Sequence, residues 1–197
     1  MTFEVLTFQQ TPSVPDVNPK SPDFDIDKYK IFLSDFMAYV SIRSDALGLA
    51  ANQLGENGDS NKRQSYRVFA MREGKDSPWE VIIAPRTVKS IGYEKQKLEG
   101  CLSWPQMRIV ANRYPTVRVT YRNIRGELVE NRELTGMLAQ VWQHEINHLN
   151  GIPEEVVPPG ATIKRTVKKV GRNDPCPCGK VGKNGKPLKF KKCCGSS

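Results

Sequence analysis

The sequence is poor in the residue types that most often build metal and disulfide sites. Only two of its 197 residues are histidine and five are cysteine. Four of these cysteines fall within the last 22 residues, which is not the pattern of a secreted disulfide framework. No stretch approaches the roughly 18 apolar residues that a membrane span requires, and no basic segment followed by an apolar run opens the chain. We therefore expect a reducing, cytoplasmic setting and no membrane.

Acidic residues are also scarce in one part of the chain. Residues 1–159 have a formal charge of −1, whereas residues 160–197 contain eleven Lys or Arg and one Asp, a charge of +10. This asymmetry favours contact of the tail with a polyanion such as RNA or a ribosome surface. An acidic protein face and a flexible solvated tail are the alternatives. The length suits one well-buried core with a small appendage.

Both histidines lie in one short stretch, residues 143–151. On an α-helix, residues four apart stand one above the other, so His144 and His148 can direct two imidazoles at one ion. Glu145 would lie beside that ion, where its carboxylate can take a proton from water on the metal. The spacing predicts a hydrolytic metal site. The alternative is two unrelated histidines on a solvated helix face.

A third donor is needed, because catalytic sites usually have three protein ligands and one open position. Cys101 is the one cysteine outside the tail, and a thiolate suits zinc or ferrous iron. Burial as a small hydrophobic residue is its alternative role.

We expect an α+β domain with a mixed, mostly antiparallel sheet around the metal-bearing helix. One helix is predicted from Asp27 to about Arg43, and a second over 136–150, begun by Thr135 and ended by Gly151 and Pro153. Residues 1–27 should wrap the surface, and 56–65 should form a polar loop. Strand-like runs occupy 66–71, 80–84, 87–93, 108–111, 116–122 and 127–134. The expected apolar face of the first helix comprises Ile31, Phe32, Phe36, Met37, Tyr39 and Val40.

Three stretches together resemble the peptide deformylases. They are Leu-Gly-Leu-Ala-Ala-Asn-Gln-Leu-Gly at 47–55, Glu-Gly-Cys-Leu-Ser at 99–103, and Gln-His-Glu-Ile-Asn-His-Leu-Asn-Gly at 143–151. The first alone would also suit a tight turn with a strand. The order is the family's, and the resemblance covers roughly residues 25–151. It implies hydrolysis of the formyl group from formyl-methionine on nascent polypeptides, with release of formate.

The resemblance also implies roles for individual residues. Gln53 and the backbone N–H of Leu102 would bind the oxyanion, and Glu145 would act as general acid and base. The family's usual metal is ferrous iron, although the ligand set suits zinc equally. The implied metal ligands are Cys101, His144 and His148.

The resemblance further implies that the peptide docks as an added strand beside Leu47 and Gly48. The methionine side chain needs an apolar pocket on the face of His144. Residues one and two turns before that histidine are the candidates for its wall, although Gln140 is polar. These residues are Met137, Gln140 and Val141.

The chain departs from the family pattern at a few positions. Ala46 replaces a frequent glycine and Asn52 a frequent proline, which should affect loop shape more than chemistry. Asn147 replaces a frequent aspartate, so we expect altered hydrogen bonding around the ligands. After the second helix the chain turns to a proline-rich linker, as in a shortened type of deformylase.

The cysteine-rich tail has enough thiolates for a closed tetrahedral zinc site. The surrounding pattern resembles the SEC-C motif, with a longer stretch at 183–187 between the cysteine pairs. Four reduced thiols on a disordered tail are the alternative. We expect a catalytic domain at 1–152, a linker at 153–170 and a zinc module at 171–197. The expected zinc ligands are Cys176, Cys178, Cys193 and Cys194.

Two other functions are compatible with parts of this pattern. A zinc protease could use the same helix, but it would give no role to Gln53 or Cys101. A binding adaptor could use the tail and keep the body's metal as a structural ion. That reading requires a fourth protein ligand, for which the sequence shows no candidate because it has no third histidine.

Overall fold

The protein is described here as a computed structural model, which covers residues 2–162, 170–176, 180–182 and 184–193. Helix α1 spans Lys30–Ser41 and helix α2 spans Gly136–Leu149. Short 3₁₀ turns occur at Ile26–Tyr29, Ala51–Gln53 and Phe190–Lys192. The strands are β1 (Phe3–Val5), β2 (Gly48–Ala50), β3 (Leu54–Glu56), β4 (Asp59–Arg63), β5 (Val68–Met71), β6 (Glu80–Ile91), β7 (Lys95–Glu99), β8 (Arg108–Arg113), β9 (Thr116–Arg122), β10 (Leu128–Thr135) and β11 (Glu155–Val157).

The described strands form three antiparallel sheets. The largest has the order β10-β9-β6-β5-β2, so β2 is an edge strand. The two smaller sheets have the orders β1-β3-β4 and β11-β8-β7. Helix α2 packs against β2, β5, β9 and β10. The predicted α+β architecture, with the histidine-containing helix packed on antiparallel strands, is confirmed.

Two hydrophobic clusters fix the helices on the large sheet. Phe36 and Val40 of α1 are fully buried in one cluster. Trp142 of α2 is fully buried in the other, where its ring meets that of Phe69 edge-on at 5.2 Å. The Trp142 indole N–H donates to Thr87 Oγ1 at 2.9 Å, so its polar atom is satisfied inside the core. Because these contacts set the rotation of α2, they also set where its histidines point.

The structure corrects several element boundaries. The predicted runs at 80–84 and 87–93 form one strand, β6, with a bulge where Ala84 adopts a φ of 49°. The predicted polar loop at 56–65 contains β4, joined to β3 by an Asn57-Gly58 turn in which both residues have positive φ. Strand β7 was not predicted, since three of its five residues are charged.

Part of the segment expected to be a linker forms a strand. Residues 155–157 form β11 and pair with β8, with Glu155 opposite Val110. The chain therefore adds a strand to the body directly after α2, where the sequence analysis placed the linker at 153–170.

The first helix begins and faces differently from the prediction. The carboxylate of Asp25, and not that of Asp27, caps the preceding 3₁₀ turn by accepting the Asp27 N–H at 2.9 Å. Ile31 is 81% exposed, whereas Leu33 is buried. The expected apolar face was therefore wrong at one position and incomplete at another.

Residues 1–27 do more than cover the surface. Strand β1 pairs with β3, and the Val14 N–H donates to the carbonyl of Leu149 at the end of α2 at 2.8 Å. The segment between them crosses the end of the metal-bearing helix. No helix within the described ranges is long and apolar enough to cross a membrane.

The described part of the tail folds into short bridges that contact the body. Pro175 pairs with Lys189, and Val181 pairs with Pro187. The ring of Phe190 meets the Tyr93 ring edge-on at 5.7 Å. Of the expected zinc ligands, Cys176 is buried and Cys193 is half-buried. Cys178 and Cys194 lie outside the described residues.

Candidate metal centre

Helix α2 and the segment after β7 bring the three predicted donors together. The Nε2 atoms of His144 and His148 are 3.2 Å apart. The Sγ of Cys101 lies 3.3 Å from His148 Nε2. Burial raises the pKa of this thiol, so a bound cation would be needed to hold the thiolate. Two imidazoles and one sulfur atom therefore face a common point, as the sequence analysis predicted.

A fourth side chain reaches the same point, and the sequence analysis missed it. Glu154 Oε1 lies 3.2 Å from His148 Nε2 and 4.0 Å from His144 Nε2. The ligand atoms of Cys101, His144, His148 and Glu154 all lie within 4.8 Å of one another. The expectation that the chain has no candidate for a fourth ligand is therefore wrong. It rested on the absence of a third histidine and on the assignment of residues from 153 onward to a linker.

The far side of the His144 ring is held by a buried ion pair. Glu99 Oε2 lies 2.9 Å from His144 Nδ1, and Arg113 binds the same carboxylate through Nε at 3.0 Å and Nη2 at 2.7 Å. Burial alone would raise the pKa of Glu99, but these hydrogen bonds lower it to about 2. An ionised carboxylate on Nδ1 leaves Nε2 directed at the site. With its amide oriented to satisfy both ends, Asn147 accepts from Arg113 Nη1 at 3.0 Å, so this substituted position joins the same network.

The second histidine is fixed by the N-terminal segment and by the residue that replaces a frequent proline. Thr11 Oγ1 lies 3.4 Å from His148 Nδ1 and donates to the His148 carbonyl at 2.9 Å. Asn52 Nδ2 donates to the same carbonyl at 2.6 Å. Asn52 thus holds a metal-bearing residue, a larger role than the loop shape expected from sequence. No pattern in residues 1–27 pointed to Thr11.

Glu145 lies against β2, with very little free space between its carboxyl group and the backbone of Gly48. A Cβ added at Gly48 would lie 2.3 Å from Glu145 Oε1 and 2.7 Å from Val141 Cγ1. Oε2 of Glu145 has no hydrogen-bond partner in the described ranges. Burial raises the pKa of this carboxyl to about 7. Gly48 therefore makes room for an acid or base whose pKa lies near neutrality.

The Gln53 amide has a fixed orientation beside the donors. Its Oε1 accepts the backbone N–H of Ala50 at 2.9 Å. Its Nε2 therefore points the other way, 3.6 Å from Cys101 Sγ and 3.1 Å from Ser103 Oγ. An oxyanion site requires an N–H group directed at the place where the reaction occurs, and this N–H group points at the predicted metal ligands.

A cleft of about 540 Å³ opens over Glu145, between the β2 edge and the segment after β7. Cys101, His144 and Gln53 also line it. The charged side chains of Asp45 and Arg108 lie on its walls. Every other residue expected from sequence to contact substrate lies on the cleft as well: Leu47, Gly48, Leu102, Met137, Gln140 and Val141.

Comparisons with known proteins agree with this geometry. A family model described as polypeptide deformylase matches residues 6–154. A curated peptide deformylase from Thermotoga neapolitana is 39% identical over 108 residues, covering 55% of this chain and 59% of that protein. The chain thus spans about three fifths of this relative's length. Peptide deformylase 3 from Shewanella oneidensis is 33% identical over 142 residues, covering 71% and 82%. The crystal structure of a Thermotoga maritima peptide deformylase superposes with a TM-score of 0.58 at 28% identity, covering 77% of this chain and 94% of that one.

Proposed function

Because the chain belongs to the polypeptide deformylase family, we propose that it hydrolyses the formyl group from formyl-methionine at the N-terminus of nascent polypeptides and releases formate. The observation that carries the proposal is the convergence of Cys101, His144 and His148 at one point, beside a cleft that Cys101, His144 and Glu145 line. A thiolate and two imidazoles with a free carboxylate at their side suit metal-assisted amide hydrolysis.

The residues present fit a divalent transition metal. Cys101, His144 and His148 would hold it, and the buried Glu99 fixes one imidazole from behind. The bound ion would lower the pKa of water toward about 7 and polarise the formyl carbonyl. The donor types suit both ferrous iron and zinc. We assign ferrous iron first, because it is the usual metal of the family that the sequence resembles.

Glu145 is the group that moves protons. Its buried carboxylate has one oxygen without a partner and a pKa of about 7, so it can accept a proton from the attacking water and give it to the departing amine. This transfer completes the cleavage of the C–N bond. The products are formate and a free α-amine.

Gln53 and Leu102 stabilise the negative charge that forms on the formyl oxygen. The Ala50 N–H locks the Gln53 carbonyl, which aims its N–H₂ group at the donor cluster before substrate arrives. Leu102 lies next to Cys101 on the cleft, where its backbone N–H can be the second donor. Each such preorganised donor typically contributes roughly 3 kcal/mol to the barrier reduction.

The open edge of β2 supports docking of the peptide as an added strand along Leu47 and Gly48. The methionine side chain would then enter the cleft against Met137, Gln140 and Val141. Gln140 makes this pocket more polar than a methionine alone requires.

Formate release from a formyl-Met tripeptide tests the function. The full chain is purified without oxygen and loaded with ferrous iron. It is compared with Glu145→Ala and with Glu155→Ala, which changes an exposed carboxylate on β11. We expect turnover in the wild type and in Glu155→Ala, and none in Glu145→Ala. Well-folded, metal-loaded wild-type protein that releases no formate would contradict the proposal and favour the adaptor.

We further propose that the tail is a SEC-C-like module in which Cys176, Cys178, Cys193 and Cys194 bind zinc. The charge of +10 on residues 160–197 supports attachment to a polyanion near the site where formylated chains emerge. Co-sedimentation with ribosomes at low salt, with and without residues 160–197, tests this attachment. It should depend on the tail and weaken steeply as salt rises. Equal sedimentation of both forms would end the proposal.

A further inference from the structure

The position of Glu154 carries an inference that rests on the proposed metal site and goes beyond it. Glu154 lies between α2 and β11, outside the three stretches that identify the family. Its Oε1 is 3.2 Å from His148 Nε2, within the cluster of atoms that also includes Cys101 Sγ. The carboxylate oxygen of Glu154 is therefore close enough to His148 Nε2 for both atoms to bind one metal ion.

The burial of this side chain is unusual for a carboxylate. Only 4% of the Glu154 side chain is exposed. Its Oε2 has no hydrogen-bond partner in the part of the chain that the structure describes. The Trp104 indole N–H faces this carboxyl and acts to lower its pKa, although the two side chains do not form a hydrogen bond of regular geometry. Burying an unpaired carboxylate costs several kcal/mol in effective terms. A cation held between this carboxylate and the other donors would offset that cost.

The backbone holds Glu154 with its side chain inward. The Glu154 N–H donates to Gln10 Oε1 at 3.2 Å, and Gln10 Nε2 donates to the Glu154 carbonyl at 3.3 Å. The next residue, Glu155, is exposed and pairs with Val110 of β8. Since successive side chains of an extended chain point to opposite sides, the outward Glu155 requires an inward Glu154.

We propose that Glu154 is a fourth protein ligand of the metal held by Cys101, His144 and His148. One carboxylate oxygen completes a set of two nitrogens, one sulfur and one oxygen. Water or substrate would take a fifth position, which would distinguish this site from the closed structural ion that the adaptor requires. The metal would also join the segment before β11 to helix α2, so that binding of the ion secures the edge of the β7–β8–β11 sheet.

Cobalt(II) binding to the full chain tests the ligand assignment, because the visible spectrum of Co²⁺ responds to the number and type of its ligands. The variants are Glu154→Ala and Glu154→Gln, which keeps the shape of the side chain. Glu155→Gln is the matched control on the same segment. The tail cysteines are the same in every variant, so their contribution to the spectrum cancels in difference spectra. A Cys101→Ala protein measures how much Co²⁺ the tail binds.

We expect both Glu154 variants to bind Co²⁺ about 10- to 100-fold more weakly in competition with a chelator, and their spectra to shift. Glu155→Gln should match the wild type in both. Unchanged affinity in the Glu154 variants would overturn the proposal, and so would weaker affinity with an unchanged spectrum. Formate release by the wild type is measured separately. Its absence would count against the proposed function, while the cobalt data would still decide whether Glu154 is a ligand.

Discussion

The metal site of the body and the zinc module proposed for the tail differ in the buried surface that supports them. In the body, Trp142 and Phe36 anchor two hydrophobic clusters, and the metal donors project from elements that these clusters hold. In the described residues from 170 to 193, Cys176 alone is buried. A packed core can preform a site, whereas a segment with little buried surface depends on the ion for its folding free energy. The metal site in the body can therefore keep an open position for water or substrate. The zinc site proposed for the tail is suited to a closed structural role.

Replacing one cysteine in each region should give the largest contrast. Cys101→Ala removes the sulfur ligand of the proposed metal site. Formate release should therefore fall to background. Cys176→Ala should disturb the tail and leave formate release nearly unchanged, because Cys176 lies outside the cleft. Formate release and metal content per chain are measured for both variants. Equal loss of activity would show that the tail contributes to the catalytic site.

Removing one aromatic ring from each region compares their stabilities. Phe36 is fully buried, so Phe36→Ala should lower the free energy of unfolding by about 3–5 kcal/mol. Phe190 is half-buried and makes one edge-on contact with Tyr93, so Phe190→Ala should cost about 1 kcal/mol. Urea unfolding of the metal-loaded protein measures both changes. A larger effect at Phe190 would mean that the tail supports the body's core.

The close approach of β2 to Glu145 predicts a specific defect in Gly48→Ala. The new Cβ would overlap the Glu145 carboxylate and the Val141 side chain, so one or both must move. A displacement of about 1 Å at a catalytic group typically costs about 100-fold in rate. Steady-state formate release is compared with that of Gly74→Ala, where the added Cβ meets only Ser77 Oγ at 3.6 Å. Wild-type kcat in Gly48→Ala would argue against Glu145 as the acid and base.

The buried ion pair behind His144 should tune the body's metal affinity. Glu99→Gln keeps the shape but removes the charge that faces both His144 and Arg113. We expect metal affinity about 10- to 100-fold lower, measured by chelator competition. Zinc in the tail should be retained at wild-type affinity. A parallel loss at both sites would mean that the two regions are coupled.

The predicted metal ligands could be identified from the sequence, but the contacts that hold them in place could not. His144, His148 and Cys101 could be found because helical spacing and short motifs name them directly. Gln53 was found by resemblance, and its locked amide orientation could not be foreseen, since it depends on one backbone N–H from Ala50. Contacts between residues far apart in sequence, such as Thr11 with His148, leave no local pattern.

The misses share physical causes. Glu154 was missed because Gly151 and Pro153 indicate the end of a helix, and the residues that follow were assigned to a linker. Strand β7 reads as a charged loop, although the alternating exposure of residues 95–98 is that of a strand with one face on water. Ile31 was placed in the core by its side-chain type, but the rotation of α1 is set by Phe32, Phe36 and Val40. Tertiary packing decided each case.

The most direct test of the account is to remove all metal with a chelator and then restore ferrous iron. Hydrogen exchange should show the amides of α2 still protected in the metal-free chain, while those in the tail exchange freely. Formate release should return when one ion per chain binds to the body, before the tail regains protection. Loss of protection in α2 without metal, or no return of formate release with the body's ion bound, would contradict a preformed deformylase site.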